Sequence, residues 1–493
     1  MTMLSFLSNK MLTSSGGPVL PQASFRIADD PINQSQLDHV TALMQVGQHR
    51  KAFVQLQPLV KADPMNPSLL EAVSDCYWLM GTTGQSMVVL NTIADIWPDN
   101  VAVWGKLGAR NLALGDKPAA ETAFERMLAL APDSALALAA LNLIKTFAPN
   151  SKRAQKLHIL AADTSLSFEE RAGVINALGQ IESAAGNTKE AFCYFQQAKD
   201  ATPGEYAPNE IDAKVADQCR AFDPKTMPEV ASECAEPRFA FVVGLPRSGT
   251  TLLTAMLSRH ARVVSNGESP SLIDTKLALK QIVQQDFPST GHWQWCQHAS
   301  PSLLAAARQT FRKKNLPESV EHLSVVVEKL PQNAFEMGFA RMMLPDAKFI
   351  FMARHPLDVG LSLFTNGFAT GHAYTKNLEW IGHMIRASYA SLEDYQPKLG
   401  DRLRIQSYRA LVQSPEPQMK EITNHLGLDW DQSCLSPQHS EDALKTASVL
   451  QVREGINQKG IGKWKRYETE LAPLIEALGG WHWIRAWEEK DAA

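Results

Sequence analysis

Two hydrophobic rhythms divide the 493-residue chain. In the first half, Ala52, Ser86 and Ala120 share a register with the apolar Leu56, Leu90 and Phe124, with Gly47, Gly81 and Gly115, and with Pro64, Pro98 and Pro132. Each series steps by 34 residues, and each proline follows its glycine by 17. The same offsets return at Gly186, Ala191, Phe195 and Pro203. This pattern predicts paired helices. The small residue lets the pair approach, the glycine permits the turn between them, and the proline cannot continue the helix it follows. One pair cannot bury its own apolar face, so several must stack. Gly115 and Gly186 lie 71 residues apart, two periods plus three, which predicts a diverged unit near 135–170. From Phe239 the rhythm changes to short apolar runs, "FAFVVG", "LSVVVEK", "KFIFMAR" and "RLRIQSY", each followed by a helical stretch. Such runs read as buried parallel strands of an α/β domain.

The 34-residue period with its turn glycine and closing proline resembles the tetratricopeptide repeat. The expected architecture is an N-terminal all-α tetratricopeptide-like solenoid over 35–203, a polar linker over 204–236, and a C-terminal α/β phosphate-loop domain with a mainly parallel sheet over 237–485.

Composition narrows the function classes. Apolar residues make up 45% and charged residues 20%, the balance of folded globular protein rather than long disorder. A net charge of -4 argues against a general nucleic-acid binder while leaving room for a local basic pocket. The six cysteines are scattered without a CxxC or a Cys/His cluster, so neither a zinc site nor a disulfide framework is expected. A reducing, cytoplasmic setting fits. The first residues, "MTMLSFLSNKMLTSSGG", lack a basic lead and apolar core, and no run of 18 apolar residues occurs, so the chain reads as soluble, without a membrane span.

Gly244-Leu245-Pro246-Arg247-Ser248-Gly249-Thr250-Thr251 follows a predicted strand and opens a predicted helix, the context of a phosphate-binding loop. Backbone N–H groups at a helix start point at an anion, and two hydroxyls of the loop add donors. Thr250 stands where nucleoside triphosphatases place a lysine, while Arg247 inside the loop offers a planar donor to tetrahedral oxygens.

In this form the loop resembles that of the sulfotransferase superfamily, which implies 3'-phosphoadenylyl sulfate as the donor and a site that requires no metal. Over residues 239–482 the chain is similar to tyrosylprotein sulfotransferases and related bacterial enzymes. That resemblance implies donor contacts at Pro246, Arg247, Ser248, Gly249, Thr250 and Thr251, and 3'-phosphate contacts at Arg354 and Ser362 in "ARHPLDVGLS". It implies further donor contacts at Tyr408 in "SYRALV" and at Gln451, Val452, Asn457 and Lys463 in "SVLQVREGINQKGIGKW". The catalytic set it implies is Glu268 in "SNGESP" as general base, Lys329 in "EKLPQN" and Ser448 as stabilisers of the leaving oxygen, and Arg247 on the transferring group.

Departures bear on the acceptor. Pro270 and Asp274 occupy the positions of peptide-reading arginines, Asn366 replaces a further nucleotide arginine, and Leu330 replaces an aspartate. The function expected is sulfonyl transfer to a hydroxyl acceptor, with a protein tyrosine, a glycan, a lipid head group and a small phenol all open, and with the repeats able to recruit a protein or peptide. Two alternatives remain at this point: a kinase-like enzyme on the same sheet, and a repeat adaptor whose second half binds nucleotide without turnover. Trp293 and Trp295 in "GHWQWCQHAS" fit core packing better than an acceptor platform.

Overall fold

The computed structural model describes residues 31–45, 47–223, 236–289, 291–317, 319–367, 372–439 and 452–492. The first six helices among the described residues form three pairs: α1 (Pro31–Gln45) with α2 (His49–Ala62), α3 (Pro67–Leu79) with α4 (Thr83–Ile96), and α5 (Val101–Leu114) with α6 (Lys117–Leu130). Gly47, Gly81 and Gly115 turn between the partners at φ 75°, 82° and 87°, a region that favours glycine. Ala52, Ser86 and Ala120 are fully buried, as close helix approach demands. A Cβ on Gly108 would stand 2.6 Å from the Phe124 ring, so the third pair closes only around glycine. The diverged unit is α7 (Ala135–Ile144) with α8 (Lys152–Ala161). The register resumes in α9 (Phe168–Ala185) and α10 (Thr188–Asp200), where Gly186 turns at φ 89° and Gly179 meets Phe195 as Gly108 meets Phe124.

Described residues up to Asn111, together with Lys117–Pro132, form one compact unit; Leu112–Asp116 and the described residues from Asp133 onward form the other. The second unit holds α7 to α10 together with the sheet, so residue 203, the expected end of the solenoid, lies inside it. Within the stretch expected as linker, Pro208–Ala221 forms α11. Gln218 of α11 donates to Ser391 O (3.1 Å), and Lys214 pairs with the buried Glu336 (2.7 Å).

Five strands, β1 (Arg238–Gly244), β2 (Val263–Ser265), β3 (Val325–Lys329), β4 (Lys348–Ala353) and β5 (Leu403–Ser407), lie in the order β2-β3-β1-β4-β5, every pair parallel. Their connections contain α12 (Thr250–Leu257), α13 (Ser271–Asp286), α14 (Pro301–Asn315), α15 (Met337–Met343), α16 (Pro356–Thr365) and α17 (Leu378–Leu399). Helices α18 (Tyr408–Gln413), α19 (Pro415–His425), α20 (Ala472–Ala477) and α21 (Gly480–Ala492) follow β5. Side chains alternate between the two faces of a strand. Phe239, Phe241, Phe349 and Phe351 accordingly enter one apolar cluster with Trp293 and Trp295, while Ala240, Val242, Ile350 and Met352 enter another with Leu252 and Leu253. Register sets Val242 opposite Lys329, Gly244 opposite Met352, and Ala353 opposite Ser407. The loop after β1, Lys329, Arg354 and Tyr408 therefore gather at the carboxyl edge, where open parallel sheets bind ligands. No helix among the described residues is long and apolar enough to cross a membrane.

Candidate active site

The loop between β1 and α12 is held by unusual backbone. Gly244 adopts φ 139°, and a Cβ there would lie 2.9 Å from Met352 O. Ser248 N donates to Leu245 O (3.1 Å), which closes the turn. Arg247 sits at φ 72°, the one non-glycine residue with positive φ among the described residues. Such conformations persist only where their surroundings over-determine them, and they gather at ligand sites. Ser248 Oγ is buried and makes no hydrogen bond within the protein, an orphan that a ligand oxygen would satisfy.

Three cations converge beside this loop. Arg247 Nε donates to Ser362 Oγ on α16 (2.8 Å). Arg354, just past β4, donates to Arg247 O (2.6 Å) and Gly460 O (2.5 Å) and lies 4.6 Å from the centre of the Tyr408 ring. Tyr408 in turn fills the space where a Cβ on Gly249 would stand, 2.5 Å from its ring. Burial, then the neighbouring Arg354, lowers Arg247 to about 10. Arg354 is lowered mainly by burial. Lys463 is lowered by burial, then by Arg354 and Arg247. Guanidinium and ammonium groups that depress one another in this way are relieved by a bound polyanion.

Asp358, two residues into α16, organises the far wall. Its buried carboxylate accepts from Gly462 N (2.7 Å) and Trp464 N (3.1 Å) and thereby fixes the backbone on both sides of Lys463. The sequence reading missed this residue, although an acid in the first turn after a strand-end proline is a local signal for backbone N–H capture.

Lys329 ends β3, only 3% exposed, and its ammonium pairs with the half-exposed Glu268. Burial lowers the Lys329 pKa and the Glu268 charge opposes that change. The loop carrying Glu268 is laced to β3: Asn266 N donates to Val327 O (2.9 Å), Lys329 N to Gly267 O (3.0 Å), and Asn266 Nδ2 to Glu328 Oε1 (2.7 Å). Glu328 is fully buried, and that burial pushes its carboxyl up to about 7. His372, also missed from sequence, is lowered by burial while the Glu268 charge raises it.

The remaining expected residues are placed unevenly. Pro246 lies in the loop, and Thr250 and Thr251 are buried at the start of α12. Val452 packs into the apolar cluster with Leu252, and Asn457 closes a local turn with Gly455 O (3.0 Å) and Lys459 N (3.1 Å). Ser448 and Gln451 lie outside the described residues. Asn366 caps Ser362 O (2.8 Å), and Asp274 pairs with Lys314 (3.3 Å). Trp293 and Trp295 are fully buried, with Trp293 edge-on to Phe222 at 5.1 Å, so both serve the core.

Residues 238–432 match the Sulfotransferase family. An uncharacterized protein of Aquifex aeolicus (strain VF5) is 32% identical over 242 residues, covering 48% of this chain and 32% of its own length. Protein-tyrosine sulfotransferase 1 of Danio rerio is 25% identical over 262 residues, covering 48% of this chain and 71% of its own. The sulfotransferase domain of the Synechococcus PCC 7002 olefin synthase is 22% identical with a TM-score of 0.35, covering 48% of this chain and 91% of that domain. The chain thus spans about a third of the Aquifex relative.

Proposed function

Starting from a sulfotransferase family domain in the C-terminal half, distantly related to protein-tyrosine sulfotransferases, we propose that this chain transfers a sulfonyl group from 3'-phosphoadenylyl sulfate to a hydroxyl acceptor. The observation that carries this reading is Arg247 on the Ser362 hydroxyl, with Arg354 on the Arg247 carbonyl and Lys463 close enough to feel both charges, around a loop whose Ser248 Oγ has no partner within the protein. Arg354 and Ser362 would take the 3'-phosphate, and the loop N–H groups with Arg247, Ser248 and Thr250 would take the 5'-phosphosulfate. When bound, the donor supplies an activated sulfonyl group.

The chain's own residues divide the remaining work. Glu268 accepts the proton that the acceptor hydroxyl loses as its oxygen bonds to sulfur. Lys329 directs ammonium N–H donors at the bridging oxygen that gains charge as its bond to sulfur breaks. Their ion pair fixes base and donor as one unit at the end of β3. An acidic tyrosyl peptide lacks the peptide-reading arginines near Glu268, because Pro270 stands at the N-cap of α13 and Asp274 pairs with Lys314 (3.3 Å). The acceptor we favour is therefore a hydroxyl without an acidic surround, on a protein recruited by the helical repeats. Incubation of labelled donor with fractionated lysate tests this. Transfer of label to a protein fraction by the wild type, and its loss with Glu268→Gln, supports the reading; no transfer to any fraction contradicts it.

A further inference from the structure

The last helix of the repeat register carries a charge where the others carry apolar residues. Thirteen residues after the turn glycines stand Val60, Ala94, Leu128 and, in α10, Lys199. Lys199 is only 6% exposed. Its Nζ donates to Leu363 O (3.0 Å), Asn366 O (2.8 Å) and Thr375 Oγ1 (3.3 Å). Three acceptors match the three N–H donors of an ammonium.

The acceptors belong to the end of α16 and the segment that follows it. A helix end leaves its final carbonyls without partners in the helix. In α16, Ser362 O is capped by Asn366, Leu363 O by Lys199, and Thr365 O by Asn176 Nδ2 of α9 (2.9 Å). Two of these three caps come from the repeat helices. Burial lowers Lys199 to about 7, and when protonated it also complements the negative end of the helix dipole. Phe192 of α10 stacks on Phe364 with ring centres 4.7 Å apart, and Ala191 and Phe195 share an apolar cluster with Leu357 and Leu361. This same last turn presents Ser362, whose Oγ meets Arg247.

We propose that Lys199 is a positioning residue for the donor site: the final repeat pair clamps the last turn of α16 and so sets where Ser362 offers its hydroxyl to a ribose 3'-phosphate. The inference rests on the function proposed above. It makes α9 and α10 part of what positions the donor site, so donor recognition does not survive a cut at Pro237.

The test is calorimetry on the full chain with two probes, adenosine 3',5'-bisphosphate and adenosine 5'-monophosphate, which differ only in the 3'-phosphate. Lys199→Met should reduce the preference for the bisphosphate roughly tenfold, the scale of one displaced charge-assisted hydrogen bond, while leaving monophosphate affinity unchanged. Asn176→Ala should shift the preference in the same direction. In a Ser362→Ala background, Lys199→Met should cost no further preference, because the two act through one contact. A merely structural lysine would weaken both nucleotides alike, whatever the change in thermal midpoint; unchanged preference in Lys199→Met overturns the proposal. Should Lys199→Met fail to fold, unchanged preference in Asn176→Ala overturns it instead. A wild type that binds both probes equally refutes the functional reading itself, a result distinct from failure of the clamp alone.

Discussion

Asp358→Asn isolates how the segment bearing Lys463 is held. The carboxylate receives two backbone N–H groups, from Gly462 at 2.7 Å and Trp464 at 3.1 Å, in a buried setting. Asparagine matches the shape but keeps one oxygen; its amide NH2 must face one of the two N–H donors. A hydrogen bond to a charged acceptor contributes about 1.5–3 kcal/mol, and leaving a buried N–H unpaired adds about 1–3 kcal/mol. Partial relaxation of the segment places the net loss at about 2–4 kcal/mol. Two readouts should move together. The urea midpoint reported by tryptophan fluorescence should fall, and adenosine 3',5'-bisphosphate should bind about tenfold more weakly, because Lys463 loses its fixed backbone. An Asp358→Asn protein with the wild-type midpoint and affinity would refute the reasoning.

Two further outcomes follow from other parts of the site. Glu268→Gln should preserve bisphosphate affinity while lowering turnover about a hundredfold or more, the usual scale for a lost general base; full turnover on the true acceptor would assign the base elsewhere. Glu328 titrates near 7 in the fold rather than at its ordinary 4.5, so between those values the folded protein holds a proton that the unfolded chain has released. Stability therefore falls as pH rises through that window and levels off above it. Glu328→Gln lacks this dependence and should exceed the wild type above pH 7 by up to about 3 kcal/mol; a stability gap that does not widen from pH 4.5 to 7 would contradict the assignment.

The parts legible in the sequence are those written contiguously. The loop from Gly244 to Thr251 announces itself as strand, turn and helix, and the turn glycines with their prolines fix the helix pairs, because in each case local backbone requirements select the residue type. The Arg247–Ser362 contact joins residues 115 positions apart, and only resemblance to a family brings them together in advance. Glu328 and Asn266 carry no sequence signal, since neither breaks a pattern. Lys199 does break one, yet its meaning depends on a helix end 164 residues downstream, which periodicity alone does not supply. A reading that ends the solenoid at Pro203 takes the repeat rhythm as a domain boundary, whereas packing joins α9 and α10 to α16.

Donor binding in the presence of a metal chelator tests the central claim most directly. With excess EDTA, isothermal titration of the full chain should show adenosine 3',5'-bisphosphate binding far more tightly than ATP, because in the function proposed Arg354 and Ser362 would take a 3'-phosphate, and Thr250 stands where a triphosphate-binding lysine would be. Equal affinity for ATP, or bisphosphate binding that disappears without metal, would contradict the account.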